Sequence, residues 1–299
     1  VSFGNGKFVT VGDQGTILSS TDAETWTAQD SGTDISLQGV SNGNGTFLVF
    51  GQSNIEESIL TSTNVTNWSK ETSDDWKGVI SNTDDRLNQI SYLNSTFIGL
   101  GKNGTIYISS DGTTWTPSTT GTTNELYAVT YANNTFVAVG GSGDTTASSD
   151  QTTSSATVST LSLSGIDNST SVYFEKMTSS GNSLYLSGRS NSPMYRVNLV
   201  EGDNSTTTGE ATAIEPSFTA ASYYNTGTEV TLSYVGSLAS DGTALYVADG
   251  SHNLIRKIDL ATSNISTLAG KLENYADGTG ENGEFHYPDK MVRVGTNMY

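Results

Sequence analysis

Short apolar runs bounded by Gly and Asn turns recur along this chain, and one phrase recurs almost intact. Tyr131-Ala-Asn-Asn-Thr-Phe136-Val-Ala-Val-Gly140 repeats Val1-Ser-Phe-Gly-Asn-Gly-Lys-Phe8-Val-Thr-Val-Gly12 and Ile90-Ser-Tyr-Leu-Asn-Ser-Thr-Phe97-Ile-Gly-Leu-Gly101. A looser copy is Val40-Ser-Asn-Gly-Asn-Gly-Thr-Phe47-Leu-Val-Phe-Gly51. Alternating apolar residues between turn residues predict short strands. After each Phe strand the pattern predicts a Gly turn, a further strand and a polar turn that in three copies ends on Trp.

The aligned Phe residues 8, 47, 97 and 136 are separated by 39, 50 and 39 positions. A period near 40 built from short strands and tight turns predicts the blades of a β-propeller, an all-β fold. Hydrophobic residues make up only 34% of the 299 residues. The regular strand pattern nevertheless argues against disorder. A formal charge of −18 repels phosphate backbones and excludes nucleic acid as a partner. With no cysteine, disulfides, thiolate catalysis and Cys-ligated zinc are all excluded. No apolar run reaches the ~18 residues a spanning helix needs. Position 1 falls inside a strand phrase, so a processed or cut N-terminus is expected. Nine Asn-x-Ser/Thr sequons permit glycosylation without demanding it, in a chain this rich in Asn, Ser and Thr. That composition suits an extracellular or cell-surface protein.

The recurring turn is clearest in Ser109-Ser-Asp111-Gly112-Thr-Thr-Trp115. Ser20-Thr-Asp22-Ala-Glu-Thr-Trp26 and Ser62-Thr-Asn64-Val-Thr-Asn-Trp68 repeat it, and Ser148-Ser-Asp150-Gln-Thr-Thr-Ser154 lacks the Trp. An Asp or Asn oxygen can accept the turn's own N–H groups, a following Gly accepts positive φ, and Trp packs the hairpin between blades. The phrase resembles a shortened Asp-box (BNR) repeat, as found in sialidase-type and photosystem assembly-factor propellers. That resemblance implies structural roles for Asp22, Trp26, Asn64, Trp68, Asp111 and Trp115 on the propeller rim. It does not extend to sialidase chemistry. Those enzymes grip a carboxylate with three arginines, and the first half offers only Arg86.

From about residue 161 the phrase changes. Leu238-Ala-Ser-Asp-Gly-Thr-Ala-Leu-Tyr246-Val-Ala-Asp249 leads to His252-Asn-Leu-Ile-Arg256-Lys-Ile258-Asp259, Ile265-Ser-Thr-Leu-Ala-Gly270 and Asp277-Gly-Thr-Gly-Glu-Asn-Gly-Glu-Phe285-His-Tyr-Pro288. This resembles an NHL repeat over a whole blade, although His252-Asn253 inverts the family's usual Asn-His order. A degenerate copy runs from Met177 through Tyr185 to Leu199, and a third opens at Met291 and stops at Tyr299. Residues 1–160 thus predict Asp-box-like blades and residues 161–299 NHL-like ones. Together they suggest seven four-stranded blades in one ring, the last incomplete in this chain; two truncated propellers are the rival arrangement.

Chemistry-bearing residues are sparse. His252 and His286 are the only histidines, short of the cluster a zinc-dependent NHL-type lyase would need. Asp241 and Asp277 open Asp-Gly turns whose oxygens suit structural Ca²⁺, the one cofactor expected to be possible, but Asp-Gly is equally a plain tight turn. Trp76, in an insertion outside the repeats, and Tyr223 and Tyr224 are candidate contact aromatics. The sequence therefore suggests a non-catalytic extracellular or surface module that binds a protein or glycan, or that assembles with its own copies. A lyase or hydrolase working in a central channel is the alternative.

Overall fold

In a computed structural model the chain is all-β. It describes residues 1–52, 57–71, 87–120, 122–132, 134–141, 145–148, 158–160, 163–164, 174–188, 194–201, 207–213, 232, 234–270 and 283–299. The first sheet contains β1 (Ser2–Gly4), β2 (Lys7–Val11), β3 (Ile17–Ser20) and β4 (Thr27–Gln29). The second contains β5 (Leu37–Gly43), β6 (Thr46–Gln52), β7 (Glu57–Ser62) and β8 (Ser69–Lys70). The third contains β9 (Leu87–Leu93), β10 (Thr96–Gly101), β11 (Thr105–Ser109) and β12 (Thr116–Thr119). The fourth contains β13 (Leu126–Ala132), β14 (Thr135–Gly140), β15 (Thr145–Ser148) and β16 (Val158–Thr160). In each, neighbours in sequence are neighbours in the sheet, as in a blade.

The fifth sheet departs from that plan. A short strand β17 (Leu163–Ser164) pairs in parallel with β21 (Thr207–Ala213), outside β20 (Met194–Glu201), β19 (Ser183–Gly188) and β18 (Phe174–Ser180). Regularity returns in β22 (Val235–Ser240), β23 (Ala244–Asp249), β24 (Leu254–Asp259) and β25 (Ile265–Gly270). The described chain closes on a two-stranded hairpin, β26 (Arg293–Val294) and β27 (Asn297–Met298). Among the described residues five regular four-stranded sheets therefore stand where seven blades were expected. The fifth sheet carries the extra parallel strand, and the last repeat contributes a two-stranded hairpin among the described residues.

Backbone contacts divide the chain into two compact units, one made of Val1–Val129, Asp150–Ser159 and Val294–Tyr299, the other of Thr130–Ser149 and Thr160–Arg293. In the first unit the repeated Phe explains its spacing. Phe47 and Phe97 are fully buried at equivalent places on β6 and β10. Leu48, Phe50 and Ile59 of the second sheet pack with Leu87, Ile90, Phe97, Tyr107 and Trp115 of the third. Removing such area from water stabilises by about 25 cal/mol per Å². At Gly43 the Tyr92 ring occupies the space a Cβ would need, so only glycine admits this packing of one blade on the next.

The first hairpin turns confirm the Asn/Gly reading. Asn5-Gly6 and Asn44-Gly45 both take positive φ (50° and 72°, 49° and 78°), the geometry that lets a two-residue turn follow the strand twist. No helix among the described residues is long and apolar enough to cross a membrane.

Candidate functional site

Three predicted turn phrases share one geometry. Asp22 Oδ1 accepts the N–H groups of Glu24 and Thr25 at 2.9 and 2.8 Å and the Ser20 hydroxyl at 2.8 Å. Asn64 Oδ1 does the same with Thr66, Asn67 and Ser62, and Asp111 Oδ1 with Thr113, Thr114 and Ser109. The indole N–H of Trp26, Trp68 and Trp115 donates to the carbonyl of Ala23, Val65 and Gly112, 3.0–3.1 Å away. Those three carbonyl residues all have positive φ, 63°, 63° and 81°, which suits Gly112 and strains Ala23 and the β-branched Val65. The donors around Asp22, first the N–H groups of Thr25 and Glu24, hold its carboxyl down at about 2. Partial burial pushes the Asp111 carboxyl up, but its donors outweigh that and hold it at about 2. In all three phrases the side-chain oxygen and the indole N–H are engaged by the turn itself.

The second half uses the same acceptor turn with a Tyr hydroxyl, not an indole, beside it. Asp241 Oδ1 accepts the Thr243 and Ala244 N–H groups and the Thr243 hydroxyl, while Oδ2 accepts the Tyr246 hydroxyl at 2.8 Å. Both oxygens of this Ca²⁺ candidate thus accept donors from its own hairpin. The other candidate, Asp277, lies outside the described residues, as do Trp76, Tyr223 and Tyr224. Among the described residues no group of three or more His, Cys, Asp or Glu could hold a metal. Below the Asp241 turn, Asp249 (0% exposed) faces the His252 Nδ1 at 2.8 Å and the Arg256 Nε at 3.4 Å, with Arg256 itself 2% exposed. Arg256 Nη1 also donates to Thr267 Oγ1 at 2.7 Å. A buried guanidinium held by a carboxylate and a hydroxyl is a structural ion pair.

Sequence reasoning missed a third cluster, wholly within the second unit. The first strands of the fifth and sixth sheets, β18 and β22, pack side by side, and each is bulged at its start, between Phe174 and Lys176 and between Val235 and Leu238. A bulge re-aims side chains at a strand end. There Glu175 and Lys176 come within electrostatic range of Asp289 and Lys290, from the segment leading to β26, and Tyr234 within range of Glu175 and Asp289. The Tyr234 hydroxyl donates to Asp289 Oδ1 at 3.2 Å. Gly236 makes this approach possible, since a Cβ there would lie 2.6 Å from the Asp289 Cα. Burial and then the neighbouring Lys290 charge push the Lys176 ammonium below its ordinary value, against the pull of Asp289 and Glu175. Burial and the Asp289 charge raise the Tyr234 hydroxyl.

Beside this cluster, Tyr287 is 62% exposed and Tyr234 38%. Tyr287 stands in the left-handed region at φ 52°, its N–H donating to Asn253 Oδ1 at 2.9 Å and its ring edge-on to His286 with centroids 4.8 Å apart. A strained, exposed aromatic next to charged groups is the kind of feature that collects at binding sites. The only sequence signal for it was His286-Tyr-Pro288, read as part of a repeat.

No family model matches the chain, and no curated protein matches it. Solved structures do. The chain is similar to YCF48 bound to D1 peptide, with TM-score 0.57 and 14% identity over 89% of this chain and 80% of that one. It is similar to virginiamycin B lyase from Staphylococcus aureus, with TM-score 0.62 and 12% identity over 89% and 84% of the two chains. The nidogen/laminin complex gives TM-score 0.53 at 14% identity over 88% and 93%. These likenesses establish the fold: an all-β β-propeller.

Proposed function

We propose that this chain is a non-catalytic propeller module, extracellular or displayed at a cell surface, that binds a protein segment through the bulged strand ends of its second half. The observation that carries this reading is the exposed Tyr287 and Tyr234, the first two residues before Asp289 in sequence and the second bonded to it. Aromatic anchors beside satisfied charges are the composition of binding hot spots. Two similar structures are complexes with a peptide or a protein, which supports a protein ligand over a glycan. In this reading the two kinds of blade are Asp-box and NHL repeats that supply rigidity, and the strand ends supply recognition. The lyase among the similar structures keeps a channel-centred lyase or hydrolase as the competing reading.

The test is a selection of random peptides on the immobilised chain, followed by titration of the enriched peptides against Tyr287→Ala and Lys290→Glu variants. The binding reading expects affinity to fall at least about tenfold in each, the loss of roughly 1.4 kcal/mol or more typical of a hot-spot residue. Peptides that bind both variants as tightly as the parent would place recognition elsewhere.

A further inference from the structure

In an Asn-Gly pair the glycine nitrogen can attack the preceding side-chain amide with little hindrance, because glycine has no Cβ to block the approach. Among the described residues the pair occurs at Asn5-Gly6, Asn42-Gly43, Asn44-Gly45 and Asn103-Gly104, all in the first unit. Their surroundings differ. Asn42 is packed: its side chain fills the place a Cβ on Gly4 would take, and its Nδ2 is buried. Gly104 is buried, and its carbonyl accepts the Thr120 hydroxyl at 2.7 Å. Asn5 and Asn44 are both exposed and head the same left-handed turn, one in the first sheet and one in the second. Yet Asn5 Nδ2 donates to the carbonyls of Gly45 and Thr63 at 2.7 and 3.2 Å. The Asn44 side chain makes no hydrogen bond to the described residues, and the Gly45 N–H has no backbone acceptor among them.

We infer that Asn44 is a self-modifying site, where the exposed turn of the second sheet converts its own amide to a carboxylate by cyclising onto Gly45. Hydroxide removes the Gly45 amide proton, and that nitrogen forms a bond to Asn44 Cγ. The bond from Cγ to Nδ2 breaks, and ammonia leaves with a proton taken from water, which regenerates the hydroxide. Water then opens the five-membered imide at either carbonyl, leaving aspartate or isoaspartate at position 44. No oxidant or reductant is consumed. The turn must rotate out of its left-handed geometry for the nitrogen to reach Cγ. Asn44 has no side-chain bond to resist that rotation, whereas two bonds hold Asn5. The change has a structural consequence, because the Gly45 carbonyl is one of the two that Asn5 grips. Isoaspartate adds a methylene to the backbone just before Gly45, which pulls that carbonyl away from Asn5 and loosens the first sheet from the second. The site needs no partner, so this inference and the protein-binding reading stand or fall separately.

The experiment ages the intact chain in mildly alkaline buffer, with and without denaturing urea, and maps peptides by mass spectrometry after chromatography that separates isoaspartate from aspartate. In the folded protein Asn44 is expected to convert several times faster than Asn5, Asn42 and Asn103. In urea, where every tether is gone, the rates at Asn44 and Asn5 should converge. Folded protein in which Asn44 converts no faster than Asn5, or not at all while the urea sample reacts, overturns the inference. A preference for Asn44 that is equally large in urea overturns the role of the turn, since local sequence alone would then account for it. Aged protein enriched in isoaspartate at position 44 should melt at a lower temperature than fresh protein. An unchanged melting temperature overturns the effect on the joint between the two sheets.

Discussion

The two halves of this chain solve the same problem, a hairpin turn at the end of a blade, with different chemistry. In the first half the turn needs an acceptor and a ring: a side-chain oxygen gathers two N–H groups and a Ser hydroxyl, and an indole ties off the carbonyl of the positive-φ residue. Asn64 performs this with the same geometry as Asp22 and Asp111, so the charge is incidental there. In the second half the charge is essential. Arg256 is buried, and among the described residues Asp249 offers it a compensating carboxylate through the bond at 3.4 Å. One half would then tolerate neutral substitution at its turns, while the other would depend on keeping both members of an ion pair.

Breaking that contrast begins with Asp249→Ala. Stranding the buried Arg256 charge should cost about 3–5 kcal/mol in denaturant unfolding, whereas Asp249→Leu combined with Arg256→Met should recover most of the loss. If the single substitution costs no more than a surface change, the ion pair is dispensable and the contrast fails.

Trp115→Ala tests the other half. Its ring, 5% exposed and packed near Phe97, should cost about 3–5 kcal/mol on removal. Trp26→Ala, at a half-buried position, should cost visibly less in the same assay. Equal losses would mean that the turn bond, common to both, matters more than the packing.

Ala23→Gly is expected to stabilise by about 1 kcal/mol, because Ala23 holds φ 63° where Gly112 sits in the equivalent turn. A drop in melting temperature would argue that the Ala23 methyl makes contacts worth more than its backbone strain.

Asp111→Asn should have the smallest effect, leaving stability near neutral pH almost unchanged, as Asn64 suggests. Acid is where the two proteins should part. The folded Asp111 carboxyl titrates at about 2 against an ordinary value of 3.8. Its stabilisation is therefore complete above pH ~4 and is lost as pH falls toward ~2, because the unfolded chain takes up the proton first. The Asn variant should lose less stability over that interval, measured by unfolding at stepped pH.

How far the sequence could be read follows from how far apart the contacting residues are. Each first-half turn closes within seven residues, so Ser, Asp or Asn, and Trp carried the whole arrangement in their order. The repeated Phe likewise announced the buried faces of β6 and β10. Two features escaped. Ala23 and Val65 occupy a backbone region that the phrase predicts for Gly, because the indole and side-chain bonds hold them there against local preference. The Lys176, Tyr234 and Asp289 cluster joins positions more than 100 residues apart across a degenerate repeat. Nothing in the local pattern marks those residues as neighbours; only the bulged starts of β18 and β22 bring them together. Of the aromatics expected to bind, Trp76, Tyr223 and Tyr224 fall outside the described residues, and Tyr287 is the contact residue proposed in their place.

The central claim is that recognition belongs to the strand ends of the second half and rigidity to the turns of the first. Amide hydrogen exchange of the chain, with and without the tightest peptide from the selection, tests it most directly. The account predicts slowed exchange at residues 174–176, 234–236 and 286–290, with the turns at 20–26, 62–68 and 109–115 unchanged. Protection confined to those first-half turns would contradict it.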